Sequence, residues 1–239
     1  MKLLVFQHAP TEHPGSLRDL MRADGMAWDT VHLDAGAAIP SLEGYDALLV
    51  LGGPMDVWEE DAHPWLRAEK SAIRDWVAAE RPFLGICLGH QLLAEAMGGQ
   101  VGPMPRPEVG VGSVSLTPEG AASPLFSGAP ASLTVLQWHG AQVRQRPAGA
   151  TVLAHNDHCA IQALQVGARA FGIQYHVEAT ASTAEDWGAI PEYRAALEAI
   201  TGPGGQAWLE AQVSAEIDTL RAAAAQLYAN FRRVMGAAG

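Results

Sequence analysis

Residues 83–91 read Phe-Leu-Gly-Ile-Cys-Leu-Gly-His-Gln, a short apolar run that meets a cysteine between two glycines. The run predicts a buried β-strand, and residues 88–97 have the apolar character of an α-helix. Glycines two positions before and after Cys87 leave room for a tight, strained turn from strand to helix. The stretch therefore predicts a strand–cysteine–helix unit whose thiol lies at the C-terminal edge of a sheet.

Strands and helices alternate around this unit. Residues 2–7 and 46–51 are apolar runs that end in turn residues, and residues 65–79 carry apolar side chains at helical spacing. This alternation is typical of a parallel sheet with helices on both faces. Between residues 109 and 175, short β-branched runs with turn signals predict further strands, several of them antiparallel. The predicted fold class is α/β, a three-layer sandwich with a mostly parallel central sheet and a small antiparallel β addition.

The longest periodic stretch runs from residue 206 to residue 235. Its apolar positions step by three or four residues and are Leu209, Val213, Ile217, Leu220, Ala224, Leu227, Phe231 and Val234. This spacing predicts a long C-terminal helix of about eight turns with one apolar stripe. We expect the stripe to pack on the chain's own sheet, with a homodimer contact as the alternative. The segment 201–205, Thr-Gly-Pro-Gly-Gly, reads as a linker, which divides the chain into residues 1–200 and a helical extension, 201–239.

Composition excludes several kinds of partner. The 239 residues carry 15 basic and 26 acidic side chains, for a formal net charge of −11. This excess of acid provides no basic patch for nucleic acid or for an anionic membrane surface. Every apolar run is shorter than the roughly 18 residues of a membrane span. Two cysteines are too few for a disulfide framework, so a cytoplasmic protein with reduced thiols is expected.

Cys87 is placed to act as a nucleophile. At a helix N-terminus the peptide dipoles favour a thiolate, and the backbone N–H of Leu88 lies where an oxyanion would form. A second backbone donor is expected from the end of another strand. The stretch Leu-Gly-Gly-Pro-Met at residues 51–55 fits, because glycine lets the backbone approach a substrate closely, with an ordinary strand-terminating turn as the alternative.

A thiolate nucleophile usually needs a base, and nine histidines compete for that role. His176 is the best placed, because a predicted strand at 171–175 ends there and a loop begins. Glu178 lies two residues further on and is able to hold the second ring nitrogen of the imidazole. The spacing therefore indicates a Cys87–His176–Glu178 triad, with a surface histidine beside an unrelated glutamate as the alternative.

Three motifs in this order resemble those of the class I, triad-type glutamine amidotransferases. They are Gly-Gly-Pro at 52–54, Gly-Ile-Cys-Leu-Gly-His-Gln at 85–91 and His-x-Glu at 176–178. The resemblance covers residues 2–179, and it is greatest to stand-alone proteins similar to the amidotransferase domain of GMP synthase. It assigns residues 1–200 to a domain of this kind.

The resemblance implies a reaction and a set of roles. Cys87 would attack the γ-amide carbon of glutamine, His176 would move protons, and Glu178 would orient His176. A γ-glutamyl thioester would form, ammonia would leave, and water would release glutamate. The N–H groups of Gly53 and Leu88 would form the oxyanion hole, and Gln91 would help to hold the glutamine. No cofactor and no metal are implied.

One segment departs from the family's pattern. Gln-Trp-His-Gly-Ala at 137–141 resembles the loop that contacts the amino-acid end of glutamine, so Trp138 and Gly140 are candidate substrate contacts. Related proteins often have Asp after His-Gly, where this chain has Ala141. Without that acidic partner for the substrate ammonium, two substrates stay open. One is glutamine, and the other is a γ-glutamyl peptide, amine or conjugate hydrolysed by the same triad.

The chain has no Gly-x-x-x-x-Gly-Lys-Ser/Thr phosphate loop and no second domain long enough to bind ATP and activate an acceptor. As an amidotransferase it would carry only the ammonia-producing half. An ammonia-accepting synthetase or transferase subunit is then the expected partner, unless the chain acts alone on a γ-glutamyl compound. A regulatory relative without activity is a third hypothesis, against which the intact Cys87, His176 and Glu178 argue.

The remaining cysteine and histidines are given structural interpretations. Cys159 reads as a small buried hydrophobe, and His139 as a structural residue. His8 and His13 read as loop residues after the first strand, with a place at the rim of the active site as the alternative. The cluster at 155–158 lacks a second set with ligand spacing, so no zinc site is expected.

Overall fold

A nine-stranded β-sheet organises the computed structural model, which describes residues 1–236. The strands are β1 (Lys2–Gln7), β2 (Ala27–His32), β3 (Ala47–Val50), β4 (Phe83–Ile86), β5 (Gln100–Leu116), β6 (Ser132–Gln145), β7 (Thr151–His155), β8 (Ala163–Val166) and β9 (Ala170–Ile173). Their order across the sheet is β2-β1-β3-β4-β9-β8-β7-β5-β6.

Seven α-helices accompany the sheet in the described residues. They are α1 (Leu17–Ala23), α2 (Trp65–Ala78), α3 (Leu88–Ala96), α4 (Pro118–Ala122), α5 (Thr183–Gly188), α6 (Pro191–Thr201) and α7 (Gly205–Gly236). A 3-10 turn covers Pro124–Phe126. None of these helices combines the length and the apolar character that crossing a membrane requires.

The first five strands of that order are parallel, so their C-terminal ends lie at the same edge of the sheet. β1 pairs in parallel with β2 and β3, β3 with β4, and β4 with β9. All four residues of β3, of β4 and of β9 are buried, as continuous apolar strands covered on both faces must be. Since Val50 aligns with Gly85 and Ile86 with Ile173, the segments that follow these strands emerge at one edge of the sheet. The predicted α/β sandwich with a mostly parallel core is confirmed.

The antiparallel addition is confirmed as well, and it continues the same sheet. Four strands, β8, β7, β5 and β6, extend it beyond β9 in antiparallel pairs. β5 begins at Gln100, earlier than the expected start at residue 109, because Pro103, Pro105 and Pro107 hide a strand in the sequence. Prolines are tolerated there since β5 pairs with β7 only at its far end, which leaves one edge of the strand free of ladder hydrogen bonds.

The C-terminal helix matches its predicted bounds closely, and its stripe packs on its own chain. α7 contacts β5, β6, the 3-10 turn and helices α1, α5 and α6. Seven of the eight stripe residues are buried, and the eighth, Ile217, is partly buried. Phe231 shares a core cluster with Val5 of β1 and Phe171 of β9. The division of the chain at residue 200 stays a prediction, and residues 237–239 of the proposed extension lie outside the described part.

Phe231→Ala tests how much α7 contributes to stability. Phe231 is only 2% exposed, and truncating a buried phenylalanine costs about 3–5 kcal/mol of unfolding free energy. The matched control on the same helix is Arg221→Ala, whose side chain is 56% exposed and whose replacement should cost less than about 0.5 kcal/mol. Urea unfolding measures both. Equal, small losses would contradict the packing of α7 on the core.

Candidate active site

The turn between β4 and α3 holds Cys87 in a backbone conformation that side-chain-bearing residues rarely adopt. Its φ is 52° and its ψ is −103°, and only one other non-glycine residue among 1–236 has a positive φ. Such strain costs about 1–3 kcal/mol and persists where surrounding structure enforces it. Here the Cys87 N–H donates to the carbonyl oxygen of Ile173 at 2.8 Å, and the Gly89 N–H donates to that of Leu51 at 3.1 Å.

Both flanking glycines are sterically required. A Cβ atom on Gly85 would lie 2.4 Å from the carbonyl oxygen of Gly89, and one on Gly89 would lie 2.2 Å from that of Val50. Backbone atoms cannot give way at these distances. The close approach of α3 to the end of β3 therefore explains the Gly-x-Cys-x-Gly spacing.

His176 and Glu178 form a buried pair next to this turn. The Nδ1 atom of His176 lies 2.6 Å from Oε1 of Glu178, and the two residues are 0% and 3% exposed. The other ring nitrogen, Nε2, has no nitrogen or oxygen partner in the described chain, and the Cys87 side chain is the group that interacts with the ring from that side. Burial opposes a charge on His176, but Glu178 and Cys87 together outweigh it and hold the pKa of His176 well above its ordinary value.

The backbone of His176 is fixed by β6 rather than by a continuation of β9. β9 ends at Ile173, whereas the predicted strand reached residue 175. The N–H of His176 donates to the carbonyl oxygen of Leu136 at 2.8 Å, and the N–H of Leu136 donates back at 3.1 Å. The ring of Trp187, in α5, stands edge-on against the imidazole with 4.5 Å between the ring centroids.

Two backbone donors lie beside Cys87. Neither the Gly53 N–H nor the Leu88 N–H donates to a protein group within residues 1–236. The first N–H of a helix has no partner inside the helix, which explains the Leu88 donor. Gly53 lies against Leu88, since a Cβ atom on Gly53 would be 2.8 Å from Cδ2 of that residue. The geometry therefore offers two free N–H groups near the sulfur, as an oxyanion hole requires.

A cavity of about 200 Å³ opens over the sulfur, and it includes the three predicted substrate contacts, Gln91, Trp138 and Gly140. Gln91 donates from Nε2 to the carbonyl oxygen of Ala141 at 3.3 Å and to Oε1 of Gln174 at 3.1 Å. The full lining is Gly53, Pro54, Met55, Asp56, Cys87, Leu88, Gln91, Trp138, His139, Gly140, Ala141, Glu192, Tyr193 and Ala196.

Acidic side chains line this cavity, although position 141 supplies none. They are Asp56, in the loop after β3, and Glu192, on α6, and no lysine or arginine of the described chain joins them in the lining. Partial burial, and then the neighbouring Glu59, raise the pKa of Asp56 to about 6. The Ala141 carbonyl oxygen is already occupied, because it accepts from His139 Nδ1 at 2.9 Å and from Gln91.

Glu12 and Tyr193 belong to the site, and no pattern in the sequence marks either residue. Glu12 is 1% exposed and accepts a hydrogen bond from the Tyr193 hydroxyl. A Cβ atom on Gly52 would lie 2.6 Å from Oε2 of Glu12 and 3.2 Å from Cε1 of His176, so the carboxylate lies close to the imidazole. Burial raises the pKa of Glu12, and the positive charge of His176 opposes this only in part.

The distances between the side chains around His176 would allow a metal ion to bind there. Glu12, His176 and Glu178 each place one ligand-type atom within 4.8 Å of the others. All three residues are buried, and each is already engaged in a hydrogen bond, two of them with one another and Glu12 with Tyr193.

Two further sequence interpretations have different outcomes. Cys159 is fully buried, as predicted, and burial raises the pKa of its thiol to about 11. His8 lies in the loop after β1, as predicted, but the alternative place at the rim of the active site is wrong, because His8 is 1% exposed and does not line the cavity. Its ring bonds to the Gly52 carbonyl oxygen and to the Glu69 carboxylate, a contact between residues 61 positions apart.

Comparison with known proteins places the chain in a family. Residues 16–187 match the family described as glutamine amidotransferase class-I. The chain is 37% identical over 164 residues to the glutamine amidotransferase-like protein YfeJ of Salmonella typhimurium, a match that covers 67% of each protein. It is 33% identical to a glutamine-hydrolyzing GMP synthase subunit of Sulfurisphaera tokodaii over 57% of this chain and 69% of that protein. It is 29% identical to gamma-glutamyl peptidase 5 of Arabidopsis thaliana over 65% of this chain and 63% of that protein.

A solved structure agrees over the whole length. A glutamine amidotransferase from Thermotoga maritima superposes with a TM-score of 0.86 at 28% identity and covers 99% of both chains. The chain therefore belongs to the class I glutamine amidotransferase family, as the resemblance of its motifs indicated.

Glu178→Gln tests the electrostatics of the histidine. The glutamine keeps a hydrogen-bonding oxygen but removes the negative charge that favours the imidazolium, so the pKa of His176 should fall by about one unit or more. His176 then loses its proton at a lower pH than in the wild type. An NMR titration of the ring measures the midpoint. The control, Glu192→Gln, removes a carboxylate that lines the cavity but makes no hydrogen bond to His176, so it should move the midpoint far less than Glu178→Gln does. Equal midpoints in all three proteins would contradict this electrostatic role of Glu178.

Proposed function

We propose that the chain is a cysteine hydrolase that releases ammonia from the γ-amide of glutamine through a γ-glutamyl thioester. The observation that carries this proposal is the convergence of a strained Cys87, a buried His176–Glu178 pair and two free N–H groups at one cavity. Cys87, His176 and Glu178 act as the catalytic residues. Membership of the class I family supports the same reaction.

Acylation begins with transfer of the thiol proton of Cys87 to Nε2 of His176. Nδ1–H of the resulting imidazolium stays hydrogen-bonded to Glu178, which fixes the ring and stabilises its charge. The thiolate attacks the γ-amide carbon, and the N–H groups of Gly53 and Leu88 bind the oxyanion. His176 then gives its Nε2 proton to the amide nitrogen, the carbon–nitrogen bond breaks and ammonia leaves.

Deacylation uses the same groups in reverse. Water enters the space that ammonia has left, and Nε2 of His176 removes one of its protons. The hydroxide attacks the thioester carbonyl carbon, and the same two N–H groups bind the second oxyanion. The carbon–sulfur bond breaks, glutamate leaves, and the proton on His176 returns to the Cys87 sulfur.

The amino-acid end of the substrate is proposed to lie across the rest of the cavity. Trp138 and Gly140 provide its walls, and Gln91 presents its amide oxygen, because its amide nitrogen is already bonded to Ala141 and Gln174. The substrate ammonium, which lacks an acidic partner at position 141, is proposed to approach the acidic side of the cavity formed by Asp56 and Glu192. No metal and no cofactor take part in these steps.

A γ-glutamyl peptide, amine or conjugate is the alternative substrate, hydrolysed by the same triad. Two observations favour it. Ala141 replaces the acidic residue that the family often uses, and one relative of this chain is named a gamma-glutamyl peptidase. The chemistry differs only in the leaving group, which is an amine instead of ammonia.

The fate of the ammonia implies a partner. Relatives of this chain include proteins named as one subunit of a GMP synthase, and a separate subunit in such a name points to an assembly. We therefore propose an ammonia-accepting synthetase or transferase subunit as a partner if glutamine is the substrate. A homodimer and a cytoplasmic location stay predictions from the sequence.

Glutamate release from L-glutamine by the purified chain tests the proposed function. Wild-type protein should release glutamate, and Cys87→Ala should reduce the rate by at least about a thousandfold, because removal of a catalytic nucleophile leaves only residual catalysis. Cys159→Ala is the matched control, since Cys159 is also buried but lies outside the cavity. Its rate should equal that of the wild type.

A panel of γ-glutamyl peptides and amines is run beside glutamine. Turnover of the panel without turnover of glutamine would select the alternative substrate. Turnover by Cys87→Ala, or no turnover of any compound by the wild type, would contradict the hydrolase proposal.

A further inference from the structure

His8 is a buried histidine whose contacts the proposed reaction does not use. It follows β1 directly, and its ring is stacked on Trp65 with 5.3 Å between centroids and 16° between planes. Its Nε2 lies 2.9 Å from Oε1 of Glu69, which is itself fully buried. Trp65 and Glu69 lie four residues apart on α2, so one face of that helix fixes both the plane and the far edge of the ring.

The near edge of the ring bonds to the turn after β3. Nδ1 of His8 lies 2.8 Å from the carbonyl oxygen of Gly52. A carbonyl oxygen only accepts hydrogen bonds, so Nδ1 must carry a proton. Glu69 lies at the other ring nitrogen, so the His8 ring bridges the Gly52 carbonyl and the Glu69 carboxyl group. Burial opposes a charge on His8, but Glu69 and Gly52 outweigh it and raise the pKa of His8 above its ordinary value.

This carbonyl belongs to the same peptide group as the Gly53 N–H. Residues 1–236 contain no cis peptide bond, and in a trans peptide the C=O and the N–H point in opposite directions. A donor that holds the carbonyl from one side therefore sets the direction of the N–H on the other side. The hydrogen bond also polarises the peptide group, which strengthens the N–H as a hydrogen-bond donor.

We propose that His8 is a positioning residue for the oxyanion hole, holding the Gly52 carbonyl so that the Gly53 N–H stays aimed at the oxygen of the attacked carbonyl. Glu69 and Trp65 hold His8 in turn. The inference rests on the proposed function in one respect, because it takes the Gly53 N–H as an oxyanion donor. It adds a support of four residues to the site, namely His8 in the loop after β1, Trp65 and Glu69 of α2, and Gly52 in the turn after β3.

Two reactions of Cys87 separate this role from a general structural one. Acylation by p-nitrophenyl acetate passes through an oxyanion, whereas alkylation by iodoacetamide is a direct displacement that forms none. Neither reagent requires recognition of glutamine. The ratio of the two rates, each corrected with Cys87→Ala as the blank, therefore reports on the oxyanion hole independently of the nucleophile and of the fold.

His8→Asn and His8→Gln form the matched pair of variants. The asparagine amide nitrogen lies close to the place of Nδ1 and still donates to Gly52, whereas the glutamine amide lies one methylene further, towards Glu69. His8→Gln should lower the acylation-to-alkylation ratio by about tenfold or more. This loss is smaller than the roughly hundredfold to thousandfold loss of rate that follows removal of a whole oxyanion donor. His8→Asn should keep the ratio within about threefold of the wild type, and the same contrast is expected in kcat for the substrate, with KM unchanged.

The double variant His8→Leu/Glu69→Leu provides a second route if His8→Gln does not fold. Apolar replacement of both partners of a buried hydrogen bond is often nearly neutral or stabilising, so this protein should fold and yet show the lowered ratio. An unchanged ratio in the double variant or in His8→Gln would overturn the inference. So would an equal loss in His8→Asn and His8→Gln, or a parallel loss of both reactions. Failure of the proposed function is a different result, namely no turnover of any γ-glutamyl compound by the wild type.

Discussion

The close approach of α3 to the end of β3 is the constraint on which the rest of the site depends. Gly89 lies so near the Val50 carbonyl that no side chain fits, and Gly85 lies equally near the backbone of Gly89. The chain can pass from β4 into α3 at this distance only through the strained conformation of Cys87. The strain in turn places the sulfur beside a free helix N–H and under a cavity. The packing of the backbone of α3 against β3 therefore determines where the nucleophile lies.

The parallel order of the strands explains why residues that are far apart in the sequence lie near the sulfur of Cys87. β1, β3, β4 and β9 are neighbours, so the segments after them supply Glu12, Gly53, Cys87 and His176 at one edge of the sheet. Helices α5 and α6 close over that edge and contribute Trp187 and Tyr193. The resulting burial has two opposite effects. It disfavours isolated charge, and it strengthens the attraction between groups that are paired, so the imidazole of His176 is stabilised as a cation beside Glu178.

The sequence predicts the features that lie within a short stretch of the chain. It does not predict those that depend on contacts between distant segments. Steric spacing around Cys87, the two-residue interval from His176 to Glu178 and the stripe of α7 each lie within a short stretch, and each was predicted. Glu12 and Tyr193 bond across 181 positions, and no local pattern marks either one. The loop position of His8 is predicted correctly, but its burial is not, because that burial comes from α2, which lies far along the chain. The start of β5 was missed because three prolines resemble a turn unless the free edge of the strand is known.

Trapping of the γ-glutamyl thioester is the most direct test that Cys87 is the nucleophile. Wild-type protein is mixed with glutamine, or with the γ-glutamyl compound that it turns over, quenched in acid within a turnover and analysed by intact-mass and peptide mass spectrometry. We expect a species heavier by one glutamyl group, with the added mass on the peptide that contains Cys87 and absent from Cys87→Ala. Release of glutamate with no such adduct under any quench time, or an adduct on Cys159, would contradict this role of Cys87.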